Sequence, residues 1–226
     1  MATLVISLGG SLIVPEEIDT AFLKRFKKLS QQLAKRHKLV IVTGGGSTAR
    51  NYIAPIRKSK LDELYTSLVG IESTKLNASL VAAFLKQFHL LPDSLQQVKK
   101  ELEKNRVVVC GALGFTPKMT SDGDAAQIAE YINADLLVNL TNVNGLYTKD
   151  PKKPGATLIK TITFKNFKKI ADKTDYKAGQ HFVLDQVAAA IITRAKIKTL
   201  ILNGKDLKNL EKALEDKPFL GTTING

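Results

Sequence analysis

Three observations predict an α/β fold for this 226-residue chain, a three-layer αβα sandwich around a mostly parallel sheet. Short runs of β-branched and leucine residues recur along it, helical patterns lie between them, and two of the runs lead into glycines followed by a polar helix start. Such β-branched or leucine-rich runs suit strands buried on both faces, and strands alternating with helices are how parallel sheets are connected.

The first strand is Leu4–Leu8. Next, Ile18, Phe22, Phe26, Leu29 and Leu33 recur at spacings of four and three, the core-facing stripe of a helix, while Lys24, Lys27, Lys28, Lys35 and Arg36 fall on its solvated faces. Further strands follow at Leu39–Val42, Val107–Cys110, Leu136–Leu140 and Thr199–Leu202. The turn-rich stretch Asp150-Pro151-Lys152-Lys153-Pro154-Gly155 marks a border between two lobes, but no linker divides the chain, so residues 1–226 read as one domain.

Composition narrows the function. With 44% apolar and 24% charged residues the chain can bury a core. Its longest apolar runs, Leu80–Leu85 and Val187–Ile192, fall short of the roughly 20 residues that cross a bilayer. The N-terminus enters a strand without a leader pattern, so a soluble cytoplasmic protein with no membrane partner is expected. A single cysteine, Cys110, excludes an internal disulfide framework, and three histidines leave little for a zinc centre, so no metal site of the protein's own is expected. Thirty-four basic against 21 acidic residues, a net charge of +13, favour an anionic partner, either nucleic acid or a phosphorylated small molecule. Without a groove-reading motif or an aromatic stacking platform, nucleic acid is the less expected of the two.

The segments Leu4-Val5-Ile6-Ser7-Leu8-Gly9-Gly10-Ser11 and Leu39-Val40-Ile41-Val42-Thr43-Gly44-Gly45-Gly46-Ser47-Thr48-Ala49-Arg50 share one form: a buried strand, glycines, then a helix start. Glycines let consecutive amides converge on an anion, and a helix N-terminus adds a favourable dipole. Two such loops suggest two phosphate-bearing ligands. The second loop also fits the dinucleotide fingerprint Gly44-x-Gly46-x-x-Ala49 with Asp62 and Glu63 downstream, which keeps a nicotinamide enzyme as a rival, although those acids lie in a helical stretch. A third segment, Asp135 to Pro151, ends a strand in amides, a hydroxyl, a tyrosine and a carboxylate, groups able to hold a base and ribose.

Together these motifs resemble the amino acid kinase family, and within it the archaeal type of uridylate kinase, over essentially the whole chain. The resemblance rests on Leu8-Gly9-Gly10-Ser11, Thr43 to Ile53, Gly70-Ile71 with Leu76-Asn77-Ala78, Thr120-Ser121-Asp122, Thr141 to Pro151, Ala178-Gly179 and Ile191 to Thr199. It implies a kinase, usually hexameric, that moves the γ-phosphoryl of ATP with Mg²⁺ onto UMP in pyrimidine nucleotide biosynthesis. The acceptor-binding part would be roughly residues 1–135 and the ATP-binding part roughly 136–226. Gly9, Gly10, Gly46 and Arg50 would line the ATP phosphates and the transfer path, with Arg50 and Gly10 closest to catalysis, and Gly45 would face the UMP phosphate. Thr141, Asn142, Tyr147 and Asp150 would hold adenosine, and Phe115, Thr116, Pro117, Lys118, Met119, Thr120 and Ser121 would contact the acceptor nucleotide.

The chain departs from the family pattern at several charges. Ser67 stands where an aspartate usually grips the acceptor ribose, Ala190 where many relatives carry a lysine, Ser7 where a lysine or aspartate is common, and Asn144 in place of an aspartate. Gly111-Ala112 replaces a Gly-Gly pair, and the segment from Ala112 to Met119 is about two residues longer than the pattern. A kinase for another small acceptor, a carboxylate or a phosphorylated alcohol, and a non-catalytic nucleotide-binding protein are the alternative expectations.

Overall fold

The computed structural model describes residues 1–87, 90–117, 119–173 and 183–226; Lys118, His89, His181 and Ala178-Gly179 lie outside the described residues. Seven strands form one sheet in the order β3-β2-β1-β4-β6-β7-β5. The five predicted strands are β1 (Thr3–Leu8), β2 (Lys38–Thr43), β3 (Val107–Cys110), β4 (Leu136–Thr141) and β6 (Thr199–Asn203), all parallel to their neighbours among these five. Two short strands extend the sheet: β5 (Thr161–Thr163) and β7 (Thr222–Asn225), with β7 antiparallel to β6.

Both faces of the sheet are buried, which is why the strands lack polar alternation. Leu4, Ile6 and Leu8 of β1 with Leu39 and Ile41 of β2 join one core with α2 (Thr20–Leu33), α4 (Glu63–Leu85) and α9 (Leu207–Leu214). Val5, Val40, Val42, Val108 and Cys110 face the other core with α5 (Leu95–Lys104), α6 (Ser121–Tyr131), α7 (Phe164–Lys173) and α8 (Gln186–Ala195). Cys110 is fully buried, and burial pushes its thiol well above the ordinary range, so it packs as a small hydrophobe.

The predicted stripe of α2 holds at Phe22, Phe26, Leu29 and Leu33, with Phe22 and Phe26 stacked at 5.8 Å between ring centroids. Ile18 differs: it precedes the cap Asp19, whose carboxylate accepts from Phe22 N at 2.8 Å, and it is 50% exposed because the helix has not yet begun. Among the described helices, α4 alone has the length and composition to cross a membrane, yet its Ala78, Val81, Ala82 and Leu85 pack into the core against the sheet.

Winding outward from β1 through β2 to β3 on one side, and from β4 through β6 on the other, leaves a switch point between the C-terminal ends of β1 and β4. In open α/β sheets that crevice is where ligands bind. The first glycine loop leaves β1 there, and the second leaves the adjoining β2.

Candidate active site

The two glycine loops are locked together backbone against backbone. Gly9 N–H donates to Leu140 O and Gly44 N–H to Leu8 O, each at 2.9 Å, so each loop is tied to a neighbouring strand end. A Cβ on Gly10 would fall 2.6 Å from Gly44 O and closer still to Gly46 N. Gly46 has φ +61°, and a Cβ there would meet Gly10 O and lie 2.9 Å from Val14 O. Side chains at these two positions would wedge the loops apart.

Carbonyls of the second loop are drawn toward α4. Asn77, buried in that helix, donates through Nδ2 to Gly44 O at 2.8 Å and Gly45 O at 3.0 Å, and Thr43 Oγ1 donates to Thr74 O at 2.9 Å. Among the described residues, the N–H groups of Gly10, Ser11, Gly45 and Gly46 meet no protein acceptor. Four free amides on two interlocked loops form a cradle for anionic oxygen. The first turn of α3 (Gly46–Lys58) is less open than expected, because Ser47 N–H donates to Val14 O at 2.9 Å and Ser47 Oγ to Glu16 O at 3.1 Å. Arg50, one turn on, is exposed and its Nη2 donates to Pro15 O at 2.9 Å, at the mouth of the cradle.

On the β4 side, Thr141 lies against the first loop, where a Cβ on Gly9 would be 3.7 Å from Thr141 Cα. Gly204 N–H donates to Thr141 O, Asn142 is exposed, and Tyr147 is half-buried with its backbone bridged to Leu158. Asp150 folds back on its own turn, accepting from Lys152 N at 2.9 Å. Asn144 Oδ1 accepts from Asn203 Nδ2 at 3.1 Å, which ties this loop to the end of β6.

The acceptor-side segment brings Ser121 to the second loop, where a Cβ on Gly44 would be 3.4 Å from Ser121 Oγ. Phe115 is 46% exposed, Thr116 and Pro117 are exposed, and Met119 and Thr120 are partly covered. Ser67 hydrogen-bonds only within α4, to Glu63 O at 3.1 Å. It lies seven residues before Thr74 on the same helix, about 10 Å by helix rise. Asp62 and Glu63, the acids of the dinucleotide reading, sit exposed at the N-terminus of α4, where Asp62 caps Leu64 N, rather than at a strand end.

Beneath the loops lies a buried polar layer that motif reading missed. Ser7 and Asn139 stand in register on β1 and β4 and face α6. Both donate to Asp122 Oδ1, at 2.6 Å from Ser7 Oγ and 3.1 Å from Asn139 Nδ2. Burial, reinforced by the negative Asp185 nearby, pushes the Asp122 carboxyl up to about 7 against these two hydrogen bonds. Asp124, 2% exposed, is raised to about 6, chiefly by burial and further by Asp185. Asp185 is better supplied: it accepts from Thr120 N and Oγ1, from Gly123 N and from Ala188 N, at 2.7–3.1 Å, at the N-termini of both α6 and α8. The signal in the sequence was a pair of aspartates two apart at the start of a small-residue helix.

Comparisons with known proteins identify the family. Residues 2–203 match the model of the amino acid kinase family. The chain belongs to the amino acid kinase family. Among its curated relatives is a uridylate kinase of Methanoregula boonei, 40% identical over 217 residues, covering 95% of this chain and 92% of the relative. Another, from Pyrococcus abyssi, is 36% identical and covers 98% of each chain. The crystal structure of uridylate kinase from Archaeoglobus fulgidus superposes with a TM-score of 0.86 at 33% identity, covering 99% of this chain and all of that one. The UMP kinase of Ureaplasma parvum, at 23% identity and a TM-score of 0.81, shares the fold.

Two outcomes follow for this amino acid kinase. Gly10→Ala forces the two loops apart, so binding of any phosphate ligand weakens and kcat/KM falls by about 100-fold or more, equivalent to roughly 2.7 kcal/mol; Ser11→Ala, measured beside it, leaves both near the parent values. Asp122 has a folded-state pKa above its ordinary 3.8, so its contribution to stability is complete below that value and is lost as pH rises through about 7. Asp122→Asn keeps an acceptor oxygen and removes the titration, so its Tm advantage over the parent widens from about pH 5 to about pH 8 in calorimetric scans.

Proposed function

We propose that this chain is an ATP-dependent UMP kinase, moving the γ-phosphoryl of ATP onto a phosphate oxygen of UMP to give UDP and ADP. The observation that carries the reading is the pair of interlocked glycine loops with free amides at the β1/β4 switch point, in a chain whose relatives at 34–40% identity over most of its length are uridylate kinases.

Phosphoryl transfer asks little covalent chemistry of a protein. An oxygen of the acceptor phosphate forms a bond to the γ-phosphorus while the bond to the bridging oxygen of ADP breaks, and the protein holds the two in line and neutralises charge. In the proposed arrangement Gly9, Gly10 and Gly46 hold the donor phosphates, Gly45 receives the UMP phosphate, and Arg50 swings from Pro15 O onto phosphate oxygens as its planar fork allows. Adenosine lies along Thr141, Asn142 and Tyr147; Asp150 contributes by shaping its turn. UMP extends toward Ser121 and the 111–120 segment.

Among the described residues no group of three or more acidic, cysteine or histidine side chains is placed to hold a metal ion. The Mg²⁺ of the reaction would travel on the ATP phosphates, the usual arrangement for this ion. Leu64, Tyr65 and Leu68 of α4, with Leu61 just before it and Tyr52 of α3, are exposed apolar side chains that support a homo-oligomer, a hexamer by family resemblance; a cytoplasmic role in pyrimidine nucleotide synthesis is part of the same proposal.

Ser67 bears on selectivity. A neutral hydroxyl already bonded within its helix replaces a carboxylate, and charge-assisted bonds are about twice as strong as neutral ones, so the ribose is less firmly gripped.

In a coupled ADP-release assay with ATP and Mg²⁺, UMP is turned over faster than AMP, GMP, acetate or a phosphorylated alcohol; ATP binding without turnover of any acceptor would make the chain a nucleotide-binding protein instead. Arg50→Ala lowers kcat/KM for UMP by at least about tenfold, roughly 1.4 kcal/mol, with Tm within a degree or so of the parent; unchanged kinetics remove Arg50 from the transfer path.

A further inference from the structure

Among the described residues between β3 and α6, both ends of the segment are fastened to the body of the protein, while residues 114–117 are exposed. At its start, Ala112 N–H donates to Thr74 Oγ1 at 2.8 Å and Leu113 N–H to Asp124 Oδ1 at 3.0 Å. At its end, Thr120 donates to Asp185 Oδ2 through both its amide (2.9 Å) and its hydroxyl (2.7 Å), and a Cβ on Gly123 would lie 2.9 Å from Met119 Sδ. Gly114, Phe115, Thr116 and Pro117 between these ties are exposed.

Asp124 is an expensive way to make one of those ties. It sits on the inward face of α6 among Ala125, Ala126, Ile128 and Ala129, 2% exposed, where an apolar side chain would serve packing better. Among the described residues its side chain accepts one hydrogen bond, from Leu113 N–H, and the charged groups that interact with it, Asp185 and Asp122, are both acidic. A buried carboxylate whose return is one loop amide is a device for holding that loop.

We propose that Asp124 and Asp185 are positioning residues that clamp Leu113 at one end and Thr120 at the other end of the segment between β3 and α6, holding the exposed Phe115–Pro117 stretch and so setting affinity for the acceptor nucleotide and not for ATP. The clamp acts through backbone donors on the segment, so what it needs from residue 124 is an acceptor oxygen. Ser121 beside Gly44 places the segment's C-terminal end on the acceptor side of the cradle, and Thr141 with Asn142 lies across β1 from it. The inference rests on the UMP kinase reading.

The test compares Asp124→Asn and Asp124→Ala with the parent in steady-state assays varying UMP and ATP separately, alongside Tm and hydrogen exchange at the Leu113 amide. The parent assay comes first: absence of UMP turnover there refutes the kinase reading before the clamp is reached. Asp124→Ala is expected to raise KM for UMP by about fivefold or more, with KM for ATP within about twofold, while Asp124→Asn, which keeps the oxygen, stays near the parent. If Asp124→Ala does not fold, Leu113 exchange in Asp124→Asn decides: protection at the parent level supports the clamp. Equal shifts in both KM values, a change in Tm alone, or exposure of the Leu113 amide in Asp124→Asn would overturn it.

Discussion

Everything in this molecule that bears on phosphate depends on one contact, the approach of the Gly10 backbone to Gly44 and Gly46. Two loops leaving adjacent parallel strands ordinarily diverge around their side chains. Here no Cβ intervenes, so the loops share one surface, and among the described residues the amides of Gly10, Ser11, Gly45 and Gly46 meet no protein acceptor. The left-handed φ of Gly46 turns the second loop into α3 at the point of contact. In the proposed arrangement two phosphate sites on this one surface would keep donor and acceptor at a separation set by the backbone, and a rigid backbone cradle would bring charge stabilisation without reorganisation.

That surface is held from behind by polar groups in an otherwise apolar core. Asn77 binds the loop carbonyls from α4, and Ser7, Asn139 and Asp122 join β1, β4 and the start of α6 directly below the switch point. A carboxyl raised to about 7 by burial sits uneasily at neutral pH, and its retention beneath the site fits the tendency of proteins to concentrate local strain where function needs fixed geometry.

Much of this was legible in the sequence, for particular physical reasons. Strands β1, β2, β3, β4 and β6 stood out because their interiors are apolar on both faces apart from Ser7 and Asn139, a consequence of helices on both sides of the sheet. β5 and β7 did not, since Thr161-Ile162-Thr163 and Thr222-Thr223-Ile224-Asn225 carry one apolar residue each and their pairing is decided by the sheet edge. The helix α4 carries apolar residues all round, so no stripe announced it. The glycine loops were readable because close backbone approach has a sequence signature. Their supports were not: Asn77 lies over thirty residues from the carbonyls it holds, and Asp122, Asp124 and Asp185 resemble ordinary helix-start acids until the fold brings them together. Asp150 and Arg50 show the converse, since the chemistry of the side chain suggested a ligand contact while the structure gives each a backbone partner nearby.

The central claim is that the two glycine loops carry the two phosphates side by side. Backbone amide chemical shifts of isotope-labelled protein, followed while UMP and then a non-hydrolysable ATP analogue with Mg²⁺ are added, test it most directly. UMP alone should move the Gly45 amide most, the ATP analogue alone the amides of Gly10 and Ser11, and the two together should shift Gly46 further than either does singly. Saturation of both ligands without movement of these four amides would contradict the account.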